Sequence, residues 1–309
     1  MLWKVAQVVG LLVTVGLLAA LLLEPEIALL VLWSAAIPLL PATFLINPGL
    51  WRNVCPLATL NMFSGDIVGH RRLTARLIPP AGLLGIVLLA VMVPARRFLF
   101  NANAVALAST IAAVALAALV LGIFFEGKAG FCNSICPVLP VERLYGQSPL
   151  MQVSNPRCPP CTLCTNQACI DVAPTRSIAL TLGGARASWA WLGTGYGVFA
   201  AAFPGFVLGY YLTEDGPLTA AAGTYAYIAM WAAASYVITA LTVRLVEVPS
   251  ALALSSLGGV AAAIYYWFAA LILATTFSLG PVGATGLRIS TLALVGFWWW
   301  RTRASELWP

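Results

Sequence analysis

Residues 98–125 read FLFNANAVALASTIAAVALAALVLGIFF, without one charged side chain. A helix that crosses the hydrocarbon of a bilayer needs about 20 mostly apolar residues, and this stretch supplies them with room to spare. Charge-free stretches of the same kind recur at 5–23, 27–51, 77–95, 187–213, 216–243, 248–287 and 289–300. The last is short and needs Leu287 and the Trp298-Trp299-Trp300 belt to complete a crossing. In the stretch 248–287 we expect one helix, Leu252 to Leu279, and then a turn at Gly280-Pro281-Val282-Gly283. The pattern predicts an all-α polytopic membrane protein with about eight transmembrane helices.

Composition agrees. Of 309 residues, 61% are hydrophobic and 8% charged, where soluble domains carry about a quarter charged. The 16 basic residues give a net charge of +6, but they are dispersed between apolar runs, which speaks for membrane orientation and against nucleic acid. Placing the N-terminus in the cytoplasm puts 13 of the 16 on the inner side and leaves only Arg96, Arg97 and Arg288 outside. Both termini are then cytoplasmic, as in a multi-pass protein of a bacterial-type inner membrane. Leu21-Leu22-Leu23-Glu24-Pro25 offers no small-residue cleavage site, so the first apolar run is expected to remain as a helix. The expected organisation is helices 1–4 over residues 1–125 with an inner loop at 47–76, a cytoplasmic loop at 126–187, and helices 5–8 over 188–309.

All seven cysteines fall in those two loops. Cys158-Pro-Pro-Cys161-Thr-Leu-Cys164 followed by Cys169 is a C-x2-C-x2-C-x4-C run, close to the bacterial ferredoxin spacing. Three thiolates from one tight loop can reach three corners of a cubane. Zinc is the rival, but a third cysteine two residues after a CxxC pair is poorly placed for a tetrahedron around one ion. Disulfides are disfavoured in the cytoplasm. Cys132-Asn-Ser-Ile-Cys136-Pro137 places two thiols four residues apart. Trp51-Arg-Asn-Val-Cys55-Pro56 repeats that frame with tryptophan in the first cysteine's place. The single histidine, His70, excludes a bis-histidine haem b held by this chain alone.

Over about residues 47–175 these motifs resemble the membrane-bound ferredoxin-like proteins related to the quinol dehydrogenase subunit of periplasmic nitrate reductase systems (NapH), the nitrous-oxide reductase regulator NosR and the oxidase-assembly protein CcoG. The resemblance implies C-x3-C-P motifs after spans and ferredoxin cysteines on the cytoplasmic side. Cys132 and Cys136 match one such motif completely. Cys55 matches the second cysteine of another, Trp51 breaks it, and a second four-cysteine run is absent. The implied cofactors are one [4Fe-4S] cluster on Cys158, Cys161 and Cys164, with Cys169 either closing it or merely reflecting a longer loop, and a second iron-sulfur cluster on Cys55, Cys132 and Cys136. With three cysteines that second cluster would be a three-iron species, or a cubane whose fourth iron binds water, a partner's side chain or a nearby residue such as His70 or Asp66; His70 is also a candidate quinone contact. The implied function is electron transfer between the quinone pool and a partner redox protein of a membrane complex. The alternatives are a redox assembly factor for a metalloenzyme and a structural subunit of a respiratory or photosynthetic complex.

Other residues read more plainly. Arg52, Arg71, Arg72 and Arg76 are expected to set topology and touch lipid headgroups, with raising the potential of a nearby cluster as the functional option, and Glu126 and Glu142 to be solvated loop charges, with relaying a proton from quinol as theirs. The aromatic group Tyr225, Tyr227, Trp231, Tyr236, Tyr265, Tyr266 and Trp267 reads as helix packing, with a quinone or pigment pocket as the functional option. No Walker loop, dinucleotide-binding glycine motif or nucleophile elbow is present, which leaves nucleotide and hydrolytic chemistry without support.

Overall fold

Eleven helices carry the described chain: α1 Leu2–Leu23, α2 Pro25–Ile46, α3 Pro48–Val54, α4 Pro56–Ile67, α5 Ile78–Phe100, α6 Ala104–Phe124, α7 Leu139–Tyr145, α8 Gly195–Leu212, α9 Leu218–Val246, α10 Ser250–Thr276 and α11 Gly280–Ala304. They come from a computed structural model that describes residues 2–69, 71–74, 76–151, 153, 169–171, 177–178, 182 and 189–304. Cys158, Cys161, Cys164 and His70 lie outside the described residues. Helices α1, α2, α5, α6, α8, α9 and α10 are long and apolar enough to cross a membrane, and no strand forms among the described residues beyond an isolated bridge between Arg71 and Phe125. The chain is an all-α polytopic membrane protein.

The last helix differs from expectation in its start. The chain turns at Phe277–Leu279, with Ser278 (φ 53°) and Gly280 (φ 65°) in the left-handed region, and Gly280-Pro281-Val282-Gly283 opens α11 instead of forming the turn. Proline suits this place because the first helical turn needs no donor from it. The helix gains length on that side and reaches 25 residues. It lies against α10 where Gly258 meets the Trp298 ring and Gly259 meets Trp299, so the small-residue pair does allow close helix contact. Trp299 Nε1 adds a hydrogen bond to Ser256 Oγ at 3.2 Å.

Caps and prolines set several boundaries. Asn47, Asn103 and Thr194 accept from the backbone N–H of Gly49, Ala106 and Gly197 at the starts of α3, α6 and α8, which satisfies donors that the helix cannot. Helices α2 and α5 widen to π geometry at Leu32–Ala36 and Arg96–Phe100. Each widened turn adjoins a proline, Pro38 or Pro94, whose missing N–H interrupts the hydrogen-bond ladder.

The two ends of the bundle differ. At one, Met151 N donates to Ile46 O, Gln147 to Leu254 O, Tyr196 to Pro140 O and Arg301 to Leu150 O. At the other, Arg97 pairs with Asp215 and Tyr225 donates to Val91 O. The described cysteines belong to the first end.

They are nevertheless not on a solvated loop. After Asn47 the chain turns back among the helices as α3, and a Cβ on Gly10 of α1 would strike Val54 O. It then leaves as α4, running alongside α6: Asn61 Nδ2 donates to Ala118 O at 2.9 Å and Ser64 Oγ to Leu119 O at 2.7 Å. Cys55 is the tip of this hairpin, where Pro56 begins the second arm. The segment after α6 also folds inward, so that Gly85 of α5 meets the carbonyls of Ile135 and Cys136. Gly85 is seven residues into α5 and Val114, which packs on the cysteines, is ten from the end of α6; at 1.5 Å per residue the thiols sit about 10–15 Å inside those helix ends.

Candidate functional site

Cys55, Cys132 and Cys136 are buried in one group with Ala58, Ala118, Phe131, Leu139 and Ile170. The two Cys-Pro turns, 81 residues apart in sequence, thus meet in one buried group. Asn61 ties them together, since its Nδ2 holds α6 and its Oδ1 accepts from Phe131 N at 3.4 Å. Trp51, in the position of the absent cysteine, packs on the group as an apolar wall.

Beside the thiols lies a buried ionic network that the sequence did not suggest. Arg52 has a side-chain exposure of 2%. Its Nη1 reaches Glu142 Oε2 at 2.6 Å, Nη2 reaches Asn133 Oδ1 at 2.7 Å, Nε reaches Asp171 Oδ1, and Nη1 also approaches Cys132 O at 3.4 Å. Lys128 Nζ bonds Asp171 Oδ2 and Arg52 O, both at 3.1 Å. Two cations therefore meet two carboxylates. Burial alone would raise the Asp171 carboxyl, but Arg52 and Lys128 outweigh it and hold it well below the usual range. Glu142 shares Arg52 with Asp171, and burial leaves its carboxyl raised. The expectation that Arg52 is a headgroup contact and Glu142 a solvated charge is corrected. Both are interior and paired, with Lys128 and Asp171 as partners. Glu126 is half-buried, while Arg71, Arg72 and Arg76 are exposed as foreseen.

Cys169 joins this network. Asn133 Nδ2 donates to its Sγ at 3.4 Å, Asp171 Oδ2 lies 3.8 Å away, and the next residue, Ile170, packs with Cys55, Cys132 and Cys136. Asp66 does not join it. It is exposed near the other end of α4, eleven residues from Cys55, or about 16 Å along the axis.

Burial pushes the Cys55 thiol up to about 11, Cys136 and Cys169 to about 12, and Cys132 well above its ordinary value. Opposing this, Arg52 favours the thiolate of all four. So do backbone N–H groups: Ala58 and Leu57 for Cys55, Val138 for Cys136 and Asp171 for Cys169. Among the described residues, no three His, Cys, Asp or Glu side chains form a group that could hold a metal ion.

No family model, curated protein or solved structure matches this chain.

The aromatic group is spread over several contacts, with Tyr227 edge-on to Trp231 and Tyr265 edge-on to Tyr266. Tyr225 stacks edge-on against Phe98, Tyr236 donates to Leu192 O, Tyr265 to Ile37 O, and Trp267 lies under Arg288.

Proposed function

We propose that this chain is a membrane iron-sulfur electron-transfer subunit that passes single electrons between the quinone pool and a partner redox protein. The observation that carries this reading is the convergence of Cys55, Cys132 and Cys136 in one buried group bordered by Arg52 and Lys128. Thiolates are the usual protein ligands of such clusters, and cations and N–H groups near the sulfurs tune their potential. An iron-sulfur cluster supplies one-electron redox chemistry when bound. We assign Cys169 to this site, because Asn133 of the Cys132 motif docks it there. In two-cluster ferredoxins the fourth cysteine of a run likewise ligates the other cluster. Cys158, Cys161 and Cys164 are left for a second site. At the Cys55, Cys132 and Cys136 group Arg52 and Lys128 would offset ligand charge, and the hydrophobic walls would keep water away.

Thiols that hold their protons this tightly are poor nucleophiles. That weighs against thiol-disulfide exchange, and with it one form of the assembly-factor reading. A metal would displace those protons on binding.

The test is metal content. Protein purified without oxygen should contain iron and acid-labile sulfide. Cys132→Ser should remove one spectroscopic species and Cys161→Ser another, with Cys169→Ser matching Cys132→Ser. Zinc without sulfide, or no metal in freshly isolated protein, would sink the reading in favour of a structural subunit.

Orientation belongs to the same proposal: a bacterial-type inner membrane, with the cysteine end and both termini on the cytoplasmic side, the side of the bundle to which 13 of the 16 basic residues then belong. A membrane-impermeant maleimide added to intact cells should label Glu214→Cys and spare Glu247→Cys. The reverse pattern would invert the topology.

A further inference from the structure

The end of the bundle opposite the cysteines holds a second constellation. The π turns of α2 and α5 meet there, with the Arg96 guanidinium 5.0 Å from the centre of the Trp33 ring. Tyr210 of α8 sits between the two arginines. Its hydroxyl accepts from Arg96 Nη1 at 2.7 Å, its carbonyl accepts from Arg97 Nη2 at 2.9 Å, and Arg97 lies 4.5 Å over its ring. Arg97 Nη1 also pairs with Asp215 Oδ1 at 2.8 Å.

Three N–H groups in this constellation are left over. Trp33 Nε1, Arg96 Nε and Arg97 Nε are buried atoms without a hydrogen-bond partner. All three are donors only, and a buried donor without a partner is costly. Charge is also unmatched. Asp215 answers Arg97, but among the described residues Arg96 makes no ion pair. What is missing is an acceptor carrying negative charge with several oxygens. Around Trp33, Ile27, Leu30, Val31 and Ile37 expose apolar side chains, a surface suited to acyl chains. Widened π turns are frequent at functional sites.

We propose that Trp33, Arg96 and Arg97 bind a phosphate group, that of a phospholipid headgroup or of a free phosphate ion. The site does not depend on the iron-sulfur reading: Gly85 of α5 touches the Cys136 carbonyl, and Arg96 is eleven residues farther, about 16 Å along the helix.

The experiment uses the full chain, stripped of lipid in a neutral detergent, with melting temperature and native mass as readouts. It is titrated with dioctanoyl phosphatidylglycerol, with dioctanoylglycerol, which has the same chains and no phosphate, and with sodium phosphate. Phosphatidylglycerol near saturation should raise the melting temperature by about 5 °C. Arg96→Gln should weaken its binding roughly tenfold or more. Trp33→Phe keeps an aromatic ring under Arg96 while removing the N–H along with the pyrrole part of the indole, and should weaken binding by a smaller factor; it decides the matter if Arg96→Gln fails to fold. A rise with sodium phosphate as well identifies a free-ion site, and a rise with the lipid alone a headgroup site. Equal stabilisation by dioctanoylglycerol, or unchanged phosphatidylglycerol binding in Trp33→Phe and any folded Arg96→Gln, would overturn the proposal.

Discussion

Arg52→Leu should lose about 3–5 kcal/mol of stability, the usual consequence of removing one partner from a buried charge network. The guanidinium serves Glu142, Asn133 and Asp171 at once, so its loss strands Glu142 in an apolar interior. In detergent the variant should melt far below the parent or aggregate during solubilisation. Arg52→Lys retains the charge without the fork, and about half the loss should remain because one ammonium cannot span all three acceptors. The informative companion is Arg52→Leu with Glu142→Leu. It removes the stranded carboxylate and leaves Lys128 with Asp171 as a balanced pair, so most of the stability should return. A single variant that melts within a degree or two of the parent would show that the network contributes little.

Gly122→Val should separate α4 from α6. A Cβ at Gly122 would overlap Asn61 O and Ser64 Oγ, and the obstructing carbonyl belongs to helix backbone that cannot rotate away. Overpacking of this kind costs about 3 kcal/mol, and the Asn61 and Ser64 hydrogen bonds to α6 would be lost with it. The consequence reaches the cysteines, because Asn61 also holds the Phe131 backbone. In metal-free protein the parent's Cys55 and Cys132 should react slowly with a thiol reagent, being buried and protonated, whereas those of Gly122→Val should react much faster. Equal labelling rates would detach the glycine from the geometry of the site.

The helices were legible because hydropathy is local: a run such as 104–124 announces itself whatever surrounds it. The turn at 277–279 was not, since Gly-Pro reads equally well as a turn or as the first residues of a helix. The inward folding of 48–67 escaped for a different reason. Asn61, Ser64 and Asp66 gave that segment the polarity of a solvated loop, yet Asn61 and Ser64 spend theirs on α6 carbonyls. The motifs located the thiols but not their neighbours. Arg52 and Asp171 are 119 residues apart, and no periodicity links positions so distant. A hint was available in Arg52, which lies within the Trp51-to-Cys55 frame instead of flanking it; Asp171, two residues after Cys169, carried the same hint.

That separation has a consequence for how the protein is made. Arg52 leaves the ribosome 90 residues before Glu142 and 119 before Asp171. At about 5–20 residues per second of synthesis, the cation waits roughly 6–24 s for its second carboxylate. Helices α5 and α6 are produced in that interval. The first hairpin therefore has no stable resting place early in translation, and α3 and α4 must stay at the membrane surface or under an insertase until the segment after α6 arrives. Assembly of the cysteine end is a late event in biogenesis, and a nascent chain stalled before residue 142 should be a preferred substrate for membrane quality-control proteases.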